Sequence, residues 1–139
     1  MKQMKQSILL RIASALTLAF CAGQTYRALD PSARGPEEAA VFMSMQAYSF
    51  AAMGFRRTHW DFYRGFSLLF SATLLLLAVL LWQLGGLAKS DALRTRPLIA
   101  TLFAGYLAFT VLCGTFFFTA PAAVSAAAAI CLALAFTAS

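Results

Sequence analysis

Apolar residues in this chain gather into long runs, and nearly all the charge lies between them. The first run extends from Ile8 to about Tyr26, preceded or opened by Lys2, Lys5 and Arg11. A second, Ser67 to Leu84, carries no charge, and beyond Arg96 no charged side chain occurs through Ser139. One bilayer crossing takes about 20 predominantly apolar residues, so that last stretch is long enough for two. The pattern predicts four spans, 8–26, 59–85, 97–118 and 121–138, with ends uncertain by about 2–4 residues.

Breakers and caps divide the rest. Pro31, Gly35 and Pro36 interrupt regular structure. Pro36-Glu37-Glu38 then reads as a helix start, because proline suits the first helical position and the dipole favours acids there. That helix is expected over 36–56. Only 17 uncharged residues separate Glu38 from Arg56, the bottom of the spanning range of about 17–25. With Ser44, Gln46, Tyr48 and Ser49 in it, it reads as interfacial. No strand pair is expected anywhere. Thr58-x-x-Asp61 has the form of a capping box for the second span, which Gly85-Gly86 should end. Pro97 should open the third span and Pro121 the fourth. In the fourth, Ser125, Ala129, Ala133 and Thr137 recur at spacing four. Small residues so placed let helices approach closely, so Ser125, Ala129 and Ala133 should face the bundle, with Leu132 and Phe136 nearer lipid.

Composition agrees. Of 139 residues, 61% are hydrophobic and 12% charged, against about 25% charged in a soluble domain. The fold expected is all-α: an integral membrane four-helix bundle with a short extra interfacial helix between spans one and two, as one multipass domain over 1–139. The net charge of +6 raises the question of nucleic acid. Here, though, the basic residues flank apolar runs, and no basic stripe interleaved with aromatics follows, so nucleic acid is set aside. Cys21, Cys113 and Cys131 are isolated in apolar runs and read as packing residues; no metal spacing and no cofactor signature is present. The first run resembles a signal peptide, but bulky Phe20 precedes Cys21 and no small-x-small site follows, so a retained helix is expected.

The stretch "RRTHWDFYRGF", Arg56 to Phe66, concentrates polar and aromatic chemistry against the edge of the second run. "RTHWDFYRGFSLLF" followed by "LLWQL" resembles an uncharacterised family of small bacterial four-helix membrane proteins, whose second span opens with a Trp-Asp-Phe-Tyr-x-Gly-Phe segment. "GPEEAAVFMSMQAYSF" and "FFFTAP" are similar to its proline-glutamate helix start and its aromatic-proline end of span three. Gly23-Gln24 departs from the Gly-His pair that ends span one in that family. The resemblance implies a fold loosely similar to DoxX-like proteins and a bacterial inner-membrane location. It implies no activity. Four spans put both termini on one side with Lys2, Lys5, Arg11, Lys89, Arg94 and Arg96; Arg27, Arg34, Arg56, Arg57 and Arg64 fall on the other. Six against five is a narrow margin, but the free amino end and the short loop carry the orientation signal, so cytoplasmic termini are expected.

Each site candidate has a structural reading beside a chemical one. His59 and Tyr63 are one turn apart, and a histidine near neutral pH can shuttle protons or hold a ligand; it can equally face headgroups. Asp61 lies at ion-pair spacing from Arg57 and Arg64, which suits either a headgroup grip or a neutralised helix entry. Ser14, Thr17, Cys21 and Gln24 form a small or polar stripe on span one that should glue helices together. Arg11 should snorkel to the interface. Gly65 should permit close approach by another helix. Trp60 and Trp82 mark the two interfaces as anchors. The candidate ligand or headgroup cleft is Gln24, Tyr26, His59, Asp61, Tyr63 and Arg64. No catalytic residue and no metal ligand is assigned.

Three functions fit. The first is a non-catalytic binding or accessory component of the membrane, its partners being the lipid bilayer and a lipid or small apolar ligand. The second is a small enzyme acting on a lipid or quinone-like substrate with His59 or Asp61 as acid/base. The third is a transporter subunit, which at this size would be a homo-oligomer. Polar groups converging on one internal cavity would separate the second from the first.

Overall fold

The computed structural model describes residues 1–138. In chain order the elements are α1 (Lys2–Leu29), α2 (Pro36–Ala47), β1 (Ser49–Ala52), β2 (Phe55–Thr58), α3 (His59–Leu87), α4 (Ala92–Phe116) and α5 (Thr119–Thr137). The helices α1, α3, α4 and α5 are each long and apolar enough to cross a membrane. The shortest, α5, has 19 residues, and a helix of about that length spans roughly 28 Å, close to the thickness of a hydrocarbon core. Four long apolar helices with a short helix between the first two are what the hydrophobic pattern implies. The chain divides into two compact units, Met1–Cys21 with Leu74–Ser139, and Ala22–Thr73.

The first unit is a four-helix bundle, and polar side chains of α1 set its register. The Ser7 hydroxyl donates to the Gly85 carbonyl at 2.6 Å, and the Ser14 hydroxyl donates to the Ala78 carbonyl at 2.6 Å. As α1 ascends, its partners on α3 descend, so these two helices are antiparallel. The Gln6 side-chain amide donates to Thr95 Oγ1 at 3.2 Å, and Thr17 hydrogen-bonds Tyr106. Partners on α4 ascend with α1, so that pair is parallel. The apolar core joins Leu10, Leu81, Leu84, Ile99, Tyr106 and Leu132 with alanines of α1 and α5. Leu76, Leu80, Val111, Ile130 and Leu134 stay exposed, the side chains a lipid solvent would cover.

Several expectations need correction here. α1 starts at Lys2 rather than 8, because Gln6 and Ser7 are buried against α3 and α4 and not left in a polar tail. Gly85 and Gly86 do not end α3. The helix continues to Leu87, and Gly85 is a contact point: a Cβ there would lie 3.2 Å from Arg11 Cγ and 3.2 Å from the Ser7 carbonyl oxygen. Pro97 does not open α4. Asp91 caps that helix by accepting from the Arg94 amide at 3.3 Å, and Pro97 sits inside it, where a proline cannot donate to the carbonyl four residues back. On α5, Ser125 and Ala129 face the core as expected, but so do Ala128, Leu132 and Ala135; Ala133 and Phe136 are half-buried. The buried face is therefore rotated toward Leu132, which joins Leu10, Leu81, Ile99 and Tyr106 in the core.

In the second unit, α2 ends at Ala47 rather than 56. An antiparallel hairpin follows, pairing Ser49 with Thr58, Phe50 with Arg57, Ala51 with Arg56 and Ala52 with Phe55. Its two-residue loop is Met53-Gly54, with φ of 52° and 84°. Two positive φ values in succession are the signature of the type I′ turn, whose twist matches that of the strands. The expectation of no strand was therefore wrong at this one place.

Candidate functional site

The candidate residues Gln24, Tyr26, His59, Asp61, Tyr63 and Arg64 all belong to the second unit. Thr58 and Asp61 form the reciprocal box that their spacing implies. The Asp61 amide donates to Thr58 Oγ1 at 3.1 Å, and the Thr58 amide donates to Asp61 Oδ2 at 2.8 Å. The carboxylate thus satisfies the start of α3. Among the described residues no salt bridge joins it to Arg57 or Arg64; the ion pair found there is Arg94 with Asp91 at 3.0 Å.

Aromatic rings surround this helix start in two groups. On one side Phe42 of α2 meets Trp60 at 4.8 Å and Tyr63 at 6.3 Å, and Trp60 stacks on Tyr63 at 5.6 Å. On the other, His59 presents its edge to Tyr48 and to Phe50, both at 5.3 Å. Phe50 continues onto Phe62 at 5.4 Å, and Phe62 onto Phe66 at 6.0 Å. The helix period explains the split: 60 and 63 share one face, while 59, 62 and 66 share another. A two-stranded hairpin is marginal alone, so the packing of Phe50 on Phe62 and His59 is what holds it.

Beside the second group lies an open groove of about 270 Å³ lined by Arg57, Asp61, Phe62, Gly65, Phe66 and Leu69. At Gly65 an added Cβ meets nothing within 4 Å, so the expected close approach of another helix is absent among the described residues. The groove lining combines three apolar side chains, Phe62, Phe66 and Leu69, with the charged pair Arg57 and Asp61.

Of the sequence candidates, the groove takes Asp61 alone. His59 and Tyr63 sit in the two ring groups, and Arg64 is half-buried with its Nε covered and without a hydrogen-bond partner. Gln24 is half-buried and Tyr26 exposed. Among the described residues no hydrogen bond, ion pair or ring contact joins either of them to the other four. No three His, Cys, Asp or Glu side chains come within metal-binding reach among the described residues. All three cysteines are free thiols. The anchors differ: Trp82 is exposed and Trp60 half-buried against Phe42 and Tyr63.

The sequence reading missed Arg57, Phe62, Gly65, Phe66 and Leu69 as a surface. A signal was available, since 62, 65, 66 and 69 recur at helical spacing; the hairpin that brings Arg57 beside them left only Gly54 as its mark. No protein-family model, no curated protein and no solved structure matches this chain.

Proposed function

We propose that the chain is a non-catalytic, multipass component of the bacterial inner membrane that binds an amphiphile, a lipid or lipid-like molecule, at the head of α3. The family resemblance carried by the Trp-Asp-Phe-Tyr segment is part of this proposal, as are cytoplasmic termini. The observation that supports it is the division of labour around Asp61. The carboxylate that an acid/base mechanism would need is hydrogen-bonded into the capping box, and His59 lies outside the groove. What the groove offers instead is apolar lining for an acyl chain and Arg57 for a polar head. The short loop of Lys89, with Arg94 and Arg96 just after it, supports the orientation.

The test is to purify the protein with its native lipids and identify what co-purifies by mass spectrometry. Gly65→Leu places a side chain in the groove at a position where an added Cβ meets nothing within 4 Å. It should remove the bound amphiphile while leaving melting in detergent unchanged or higher. Retention of the same molecule by that variant would overturn the reading. Conversion of an added lipid or quinone that depends on Asp61 would replace it with the enzyme reading.

A further inference from the structure

The first unit carries six basic side chains, Lys2, Lys5, Arg11, Lys89, Arg94 and Arg96, against a single acid, Asp91. Asp91 is already engaged by Arg94 at 3.0 Å. Arg11 has no carboxylate partner among the described residues. Its guanidinium lies 4.6 Å from the Trp82 ring centroid, and its Nε is covered without a hydrogen-bond acceptor. Its stem packs at Gly85, and beyond Gly85 the surface opens: Gly86, one turn after Trp82, has no neighbour within 4 Å of a built Cβ. The Lys89 amide closes the following turn on the Gly86 carbonyl at 3.2 Å. Arg96 repeats the arrangement between α4 and α5, 4.6 Å over Phe136 with a covered Nε.

We propose that Arg11, lying on Trp82 with its stem packed at Gly85, is a binding site for the phosphate of an acidic phospholipid. The physical reason is the balance of charge. A guanidinium at the rim of a hydrocarbon layer is costly without a countercharge, and the ring face offsets only part of that cost. Trp82 is 55% exposed, and tryptophan on a spanning helix belongs at headgroup level, where phosphodiesters lie. A flat guanidinium suits two phosphate oxygens at once. A zwitterionic headgroup would bring an ammonium to a unit that carries six basic side chains and a single, already paired acid. An acidic headgroup brings none, which is why the site selects net negative lipid. This site is separate from the α3 groove of the second unit, so either can fail alone.

The chain has two tryptophans, which makes Trp82 a reporter. The full chain with Trp60→Phe is reconstituted in phosphatidylcholine vesicles containing a minor fraction of bromine-labelled phosphatidylglycerol or, separately, bromine-labelled phosphatidylcholine. Trp82 emission should be quenched by the acidic probe with an apparent preference of roughly fivefold over the neutral one. Arg11→Gln should bring the preference close to one, and Arg11→Lys, which keeps the charge without the flat stack, should lower it. Equal quenching by both probes in the parent overturns the proposal without recourse to any variant, as does a preference unchanged in Arg11→Lys. Inorganic phosphate added to purely neutral vesicles should leave Trp82 emission unaltered; a saturable change there would make free phosphate the ligand and overturn the lipid assignment.

Discussion

Gly85 and Gly86 are adjacent on α3, yet alanine should act on them in opposite directions. Replacing a helix-interior glycine by alanine gains about 1 kcal/mol through lost unfolded-state freedom. At Gly86 the new methyl meets nothing within 4 Å, so that gain is the whole effect. At Gly85 the methyl lies 3.2 Å from Arg11 Cγ, 3.2 Å from the Ser7 carbonyl oxygen and 3.5 Å from Leu10 Cβ. The arginine stem can bend away. The carbonyl belongs to the α1 backbone and moves only if the helix moves. Overpacking of this kind costs about 1–3 kcal/mol. Separating the helices also loosens the Ser7 hydroxyl on the Gly85 carbonyl, roughly 0.6 kcal/mol for an average interhelical bond in lipid. The net for Gly85→Ala is a loss of about 1–2 kcal/mol, and the gap between the neighbours about 2–3 kcal/mol. Reversible unfolding in mixed micelles, followed by circular dichroism against denaturing detergent, measures that gap. Equal stability of the two variants would show that α1 and α3 do not meet at Gly85, and with them would go the bundle register built on Ser7 and Ser14.

Three other outcomes follow from single contacts. Asp61→Ala and Thr58→Ala should each cost about 0.5–2 kcal/mol, and the double variant should cost clearly less than their sum, because both break one reciprocal box; additive losses in the same unfolding assay would show that the two do not bond each other. Tyr106→Phe should destabilise by roughly 0.6 kcal/mol, less than a fully orphaned hydroxyl would, since Thr17 still donates to the Ala13 carbonyl at 2.8 Å; a loss several times larger in a thermal melt would contradict this. Met53 holds φ at 52°, a conformation that costs a non-glycine residue about 1–2 kcal/mol, so Met53→Asn should protect the amides of the hairpin better against hydrogen exchange, whereas Met53→Val should expose them.

Much of this architecture follows from the sequence alone. Four runs of apolar residues cannot be solvated by water over such lengths, and in lipid the backbone of each must satisfy itself as helix. The capping box was equally legible, because Thr58 and Asp61 act on atoms three residues away and need no tertiary partner. Pro36 with two glutamates marked the start of α2 for the same reason. Local physics wrote these features, and local reading recovers them.

The remainder depended on contacts between distant residues. Gln6 and Ser7 look like a polar leader until α4 and α3 offer Thr95 and the Gly85 carbonyl to bond with. Gly65 and Gly85 are both glycines in one apolar helix; only the position of α1 makes one a contact and leaves the other open. Leu132 lies inward because Leu10, Leu81, Ile99 and Tyr106 of the other helices meet it there. The stretch Tyr48–Thr58 has aromatic residues that suit helix or strand, and the balance was tipped by a Met-Gly turn and by Phe62, whose ring supports Phe50 once the chain has folded back. The six cleft candidates share polar or aromatic chemistry at the ends of two spans, whereas a groove is made by what surrounds it. Arg57, reached only through the hairpin, lines it, and Gln24 and Tyr26 are not among its lining residues. Sequence determines where a helix must form, because that depends on each residue and its solvent. Which face it buries, and therefore which side chains meet, depends on the shape of the neighbours, and that exists only in the fold.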